Sequence, residues 1–212
     1  MSDNERRVWG AVFNYLTPGL TRGVAPRPAD DLFSLGAVTF EILTGERLFD
    51  GATDFDILES IRLWEPERLD EHRFQLGPLF AAVRLMLNVK VSNRPSNAMV
   101  LRDGLRTIAV SSGFGNEARA LADLFDEVVP NGPTVSLERL LVRAAPLDYI
   151  EASALLAGVC NALSSLHRDN DAFSTTLSRS VTKHFPVCPR AIVVRRTKDK
   201  SLCRVGLRRT SG

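Results

Sequence analysis

The stretch Leu32 to Leu43, LFSLGAVTFEIL, constrains this chain more than any other: it is apolar on nearly every side, so as a helix it has no face to offer to water. Asp30 or Asp31 can cap its start, and Gly45 its end. A helix of that kind belongs at the centre of a core, and the other elements must wrap around it. The 212 residues, 44% hydrophobic and 25% charged, are enough to build one such core and match ordinary globular proteins, which argues against a disordered or fibrous chain.

Apolar spacing predicts the wrapping elements. Pro18, Gly19, Gly23, Pro26 and Pro28 make an ordered loop before the central helix. Asp54 to Leu63 reads as an amphipathic surface helix, and Leu79 to Leu87 repeats its logic. Asn93-Arg94-Pro95-Ser96 breaks the chain, with Ser96 placed to cap a further helix through Met99, Val100 and Leu105. Residues 116 to 129 form another helix before Pro130-Asn131-Gly132-Pro133, the strongest linker signal. Leu137 to Val142 is a short helix, Asp148 to His167 a long one, and 168 to 183 a polar excursion. Ala191 to Val194 and Cys203 to Leu207 read as two short strands joined by a charged turn. The fold class predicted is mainly α, with a small β-hairpin near the C-terminus, in two parts, 1–129 and 130–212.

Lys plus Arg total 27 against 25 Asp plus Glu, a net charge of +2 that by itself argues for neither nucleic acid nor membrane. The charge is uneven, however. Between Arg190 and Arg209 stand Arg190, Arg195, Arg196, Lys198, Lys200, Arg204, Arg208 and Arg209 against the single acid Asp199. That excess could attract phosphate, but the plainer reading is a solvated basic hairpin and tail; a nucleic-acid partner would need a steep salt dependence of binding.

Cys160, Cys188 and Cys203 lack metal-ligand spacing and are odd in number, which points to a reducing compartment rather than a disulfide framework. His72, His167 and His184 have no ligand pattern and read as surface or structural residues. Neither a signal peptide nor a membrane-spanning stretch is evident, so a cytoplasmic location is predicted.

Tyr15, Leu16, Thr17 and Pro18, then Asp31, Leu32, Phe33, Ser34, Leu35 and Gly36, then Glu41, Ile42, Leu43, Thr44, Gly45 and Phe49 carry a resemblance. In that order they resemble the bacterial, eukaryotic-like serine/threonine protein kinases, from the end of the activation segment through the central helix of the large lobe. Arg94 matches an arginine that in this family pairs, buried, with the glutamate closing the activation segment. That position is Gly19 here, so Arg94 must be exposed or must find Glu41 or another acid. The resemblance implies a kinase C-lobe-like helical bundle over residues 8–107. It also implies that Asp31 accepts hydrogen bonds from a catalytic loop, although capping its own helix is the simpler role.

The second half looks like an earlier stretch of the same family. Residues 136–167 are similar to the helices before a catalytic loop, and 184–194 can be laid against that loop and its strand. Pro186 then stands at the catalytic aspartate, Cys188 at the phosphate-facing lysine and Ala191 at the metal-binding asparagine, after His184. Taken together, the two matches imply a circular permutation of one large lobe; the rival is the remains of two kinases. The family uses ATP and magnesium, but the residues that bind them are absent, and no cofactor or metal is predicted. The expectation is therefore a pseudokinase-like, truncated or degenerate protein without phosphotransfer, acting as a binding or regulatory module with another protein or kinase chain, or surviving as a remnant. The alternatives are a kinase component needing a small lobe in trans, and a basic-tailed nucleic-acid binder. Neither the oligomeric state nor the partner is readable.

Overall fold

The computed structural model describes residues 13–113, 117–128, 134–144, 146–174, 187–196 and 203–207. The molecule is mainly helical, with one small antiparallel sheet. In chain order its elements are α1 (Pro28–Thr44), α2 (Asp54–Arg62), α3 (Arg73–Leu76), α4 (Phe80–Met86), α5 (Ala98–Ser111), α6 (Glu117–Val128), β1 (Thr134–Ser136), α7 (Leu137–Ala144), α8 (Tyr149–Ser174), β2 (Ile192–Arg196) and β3 (Cys203–Leu207).

Helix α1 occupies the position its composition demands. Every residue from Asp30 to Leu43 except Glu41 is buried. Pro28 opens it, where a missing N–H is harmless, and Gly45 closes it at φ +76°, a left-handed conformation that disfavours a Cβ. Its close neighbours follow from a gap in its surface. A Cβ at Gly36 would lie 2.9 Å from Leu87 Cγ and Met86 Cβ, so only glycine lets α4 approach this near. Phe33 stacks on Phe49 at 6.0 Å, and Trp64 meets Phe49 edge-on at 5.3 Å while donating its indole N–H to Leu87 O.

Helix α8 packs on α1 in the opposite sense. At one end Leu147 N donates to Ile42 O at 2.9 Å, satisfying a carbonyl in the last turn of α1. At the other, His167 Nε2 meets Asp31 Oδ2 at 2.8 Å. Ala152, Leu155, Leu156, Val159, Cys160 and Leu163 are buried along the way, and one hydrophobic cluster takes in residues from both parts of the chain.

Several sequence expectations are corrected. The long helix does not stop at His167 but runs to Ser174, into the stretch read as a polar excursion; the rest of that excursion lies outside the described residues. The sequence past His167, RDNDAFS, holds few apolar residues, so the apolar period ends before the helix does. Asn97, not Ser96, caps α5, its Oδ1 accepting from Val100 N. Asp31 does not cap α1. Asp30, in the first turn, does so by accepting from Arg27 N at 2.9 Å.

The hairpin is a three-stranded sheet in the order β1-β2-β3, its third strand arising from residues just past the linker. Contrary to the composition-based reading, Tyr149–Arg168 is long and apolar enough to cross a membrane by length and composition alone. Within it Ala152, Leu155, Leu156, Val159, Cys160 and Leu163 are buried in the protein core.

Candidate functional site

Residues 13–27, which hold only a short 3-10 turn at Leu20–Arg22, are tied to the rest of the fold by side chains. Ser34 Oγ donates to Tyr15 O at 2.6 Å and Asn14 Nδ2 to Phe49 O at 2.7 Å. Thus anchored, Tyr15 lays its phenol against Glu41, the one residue between Asp30 and Leu43 that is not buried, donating to its Oε2 at 2.5 Å. Burial raises the Glu41 carboxyl above its ordinary range, opposed by the Tyr15 hydrogen bond and by Arg47, whose Nε is 4.0 Å away. Burial first, and then the Glu41 charge, push the Tyr15 phenol far up, so it is held as a hydrogen-bond donor.

Facing this group is the start of α7 with the turn before β2. Glu138 N donates to Pro189 O at 3.2 Å, and Arg190 Nε meets Glu138 Oε1 at 2.6 Å. Between the two groups lies a half-open cavity of about 280 Å³ that Gly45, Leu141 and Val142 also line. Both of its acids are engaged, Glu41 by Tyr15 and Arg47, and Glu138 by Arg190. The cavity thus sets two acids and two arginines around Leu141, with Val142 82% exposed at its edge. No group of three or more His, Cys, Asp or Glu side chains that could hold a metal occurs among the described residues.

Arg94 is buried, and it has found its acid. Its Nη1 lies 3.2 Å from Asp30 Oδ1 and donates to Ala29 O at 2.9 Å, while Nε donates to Asn88 O at 2.8 Å. The guanidinium also stands 4.9 Å over the Phe33 ring. Burial lowers the Arg94 pKa, and Asp30 opposes that through a hydrogen bond and charge. Thr17 Oγ1 donates to the same Asp30 oxygen at 3.1 Å, linking the loop to the pair. Glu41, weighed as a partner, is committed to Tyr15 instead.

Pro18 is buried beside this network. At Gly19 an added Cβ would meet Thr17 Oγ1 and Val24 Cβ at an ordinary 3.7 Å, so space does not require glycine there. Asp31 is buried with its carboxylate against His167, whose side chain is 12% exposed. Cys188 is 4% exposed, and burial pushes its thiol up, against backbone hydrogen bonds from Ala191 and Arg190. Ala191 caps the same turn, its N–H donating to Cys188 O at 2.9 Å. His184 and Pro186 lie outside the described residues.

Sequence reasoning missed two members of this site. The Arg190–Glu138 pair spans 52 positions, and no local spacing marks it. Asp30 was visible only as a cap; its second role depends on an arginine 64 residues away. Comparison of the sequence with protein-family models and with curated proteins finds no match.

Proposed function

We propose that the chain is a catalytically inert large lobe of protein-kinase type, its two parts in permuted order, that works by binding another protein. The observation that carries this reading is the packing of α8 along α1, with Leu147 on Ile42 at one end and His167 on Asp31 at the other. It favours one permuted lobe over the remains of two, because two remnants would have no reason to complete each other's core. The buried Arg94–Asp30 pair supports the reading as well: the arginine keeps the site that the resemblance assigns it, and a neighbouring acid replaces the lost glutamate.

Inertness rests on Cys188. The position laid against a phosphate-facing lysine carries a small apolar group turned into the core, where it cannot neutralise phosphate. The cavity between Tyr15, Glu41, Glu138 and Arg190 is then the natural place for a partner's side chain.

The test is thermal unfolding of the full chain with ATP, with and without magnesium, beside an assay of labelled-phosphate transfer. The expected outcome is no magnesium-dependent rise in Tm and no transfer. A rise of several degrees that requires magnesium would sink the reading, since a ligand that binds only the native state must stabilise it.

A further inference from the structure

Helix α5 buries one face and leaves apolar side chains in water on the other. Ala98, Leu101, Leu105 and Ala109 lie in the core, whereas Met99 is 42% exposed, Val100 52% and Val110 80%. Met99, Asp103, Arg106 and Val110 stand at i, i+4, i+7 and i+11, the spacing that sets side chains in one row along a helix, and all four are exposed. Read from either end, the row is apolar, charged, charged, apolar, with the acid and the base on opposite sides of its midpoint.

The two charges are open to a further partner. Arg106 makes no hydrogen bond or ion pair among the described residues. Both bonds from the neighbouring Arg102 go to Oδ1 of Asp103, whose side chain is 62% exposed, so Oδ2 can accept another donor.

A second copy of α5 laid antiparallel about a twofold axis between Asp103 and Arg106 satisfies the whole row at once. Met99 then faces Val110 of the partner, and Asp103 faces Arg106 of the partner, each contact occurring twice. A parallel pairing in the same register sets acid against acid and base against base, which is unfavourable. Complementarity of the row to its own reverse is what self-association demands, and an unrelated partner does not require it. The helix has 14 residues and is about 21 Å long. Its face is smaller than the roughly 800 Å² per partner of a standard interface, so the pairing belongs in the micromolar range.

We propose that α5 is the surface by which two copies of this chain pair in solution, antiparallel, with Asp103 bound to Arg106 across the axis. The inference rests on spacing, exposure and charge, and it stands whether or not the kinase-type reading does.

The experiment is sedimentation velocity of the full chain from about 1 to 200 µM, for the native protein, Asp103→Arg, Arg106→Asp, the variant carrying both exchanges, Val110→Asp and, as a control outside α5, Arg68→Asp. The native chain should shift from monomer towards dimer as concentration rises. Each single reversal sets like charges opposite each other at both symmetric contacts and should raise Kd by about tenfold or more. Val110→Asp should weaken pairing too, while Arg68→Asp should leave it unchanged. The double exchange rebuilds the same two ion pairs and should return Kd to within about threefold of the native value, which also shows that the single variants did not simply unfold. A native chain that stays monomeric over the whole range, a dimer indifferent to the single reversals, or a double exchange that recovers nothing would overturn the proposal.

Discussion

The two parts of the molecule hold themselves together differently. In residues 13 to 94 the core contains Asn14, Thr17, Asp30, Asp31, Ser34, Thr39 and Arg94, whereas among the described residues from 134 onward the buried polar side chains are two serines, Ser153 and Ser164. The first part is held by directional contacts: Asn14 to Phe49, Thr17 and Arg94 to Asp30, Ser34 to Tyr15. The second is held by apolar packing of α8 against α5, α6 and the sheet. Apolar contact fixes that surfaces meet, and buried hydrogen bonds fix where. An irregular loop such as residues 13–27 needs the second kind, because it has no repeating ladder of its own.

The contrast is sharpest at the charged pair. Asp30→Ala leaves the Arg94 guanidinium buried without an acid and also removes the cap on Arg27 N, so the unfolding free energy should fall by about 3–5 kcal/mol in urea titration. Adding Arg94→Met to that variant should restore part of the loss. If Asp30→Ala costs under about 1 kcal/mol, the first part is not organised by its polar core and the distinction fails.

Next come the two close approaches of a glycine. Gly36→Ala sets a methyl against the buried Met86 and Leu87, and should cost about 1–3 kcal/mol. Gly158→Ala meets Val205 more closely still, at 2.5 Å, but β3 is an edge strand that can shift away. Thermal denaturation should therefore show the larger loss at Gly36. A larger loss at Gly158 would mean that the apolar half is the more tightly specified of the two.

The smallest effect is predicted at Ser153, whose Oγ is buried with no hydrogen-bond partner among the described residues. Ser153→Ala removes a desolvated hydroxyl at no loss of contact, and stability should be unchanged or higher by about 1 kcal/mol. A clear destabilisation in the same titration would reveal a polar bond in the second part and weaken the contrast.

Much of the fold was legible because its strongest signal is composition at one place. LFSLGAVTFEIL has no polar face, and that alone puts α1 at the centre. The amphipathic helices followed from period. Strand β1 did not, since three residues between a proline-rich linker and a helix cannot display an alternation. The Arg94 question could be posed from sequence, but its answer, Asp30, depends on how the start of α1 meets the turn after α4. His167 gave no signal, because the group that explains it lies 136 positions away. The cavity was unreadable for the same reason, as it joins residues near 15 and 41 to others near 138 and 190.

The last turn of α1 has a carbonyl whose donor is Leu147, and its first turn a carboxylate whose partner is His167. On the ribosome Leu147 and His167 are made 103 and 123 positions after the helix ends at Thr44, which at about 5–20 residues per second is a wait of some 5–25 seconds. For much of that interval the most water-averse segment of the polypeptide lacks the part of its cover that α8 provides. Such a nascent chain should be a strong client for a chaperone that shields greasy stretches, and slowing synthesis over the middle of the message should lower the soluble yield.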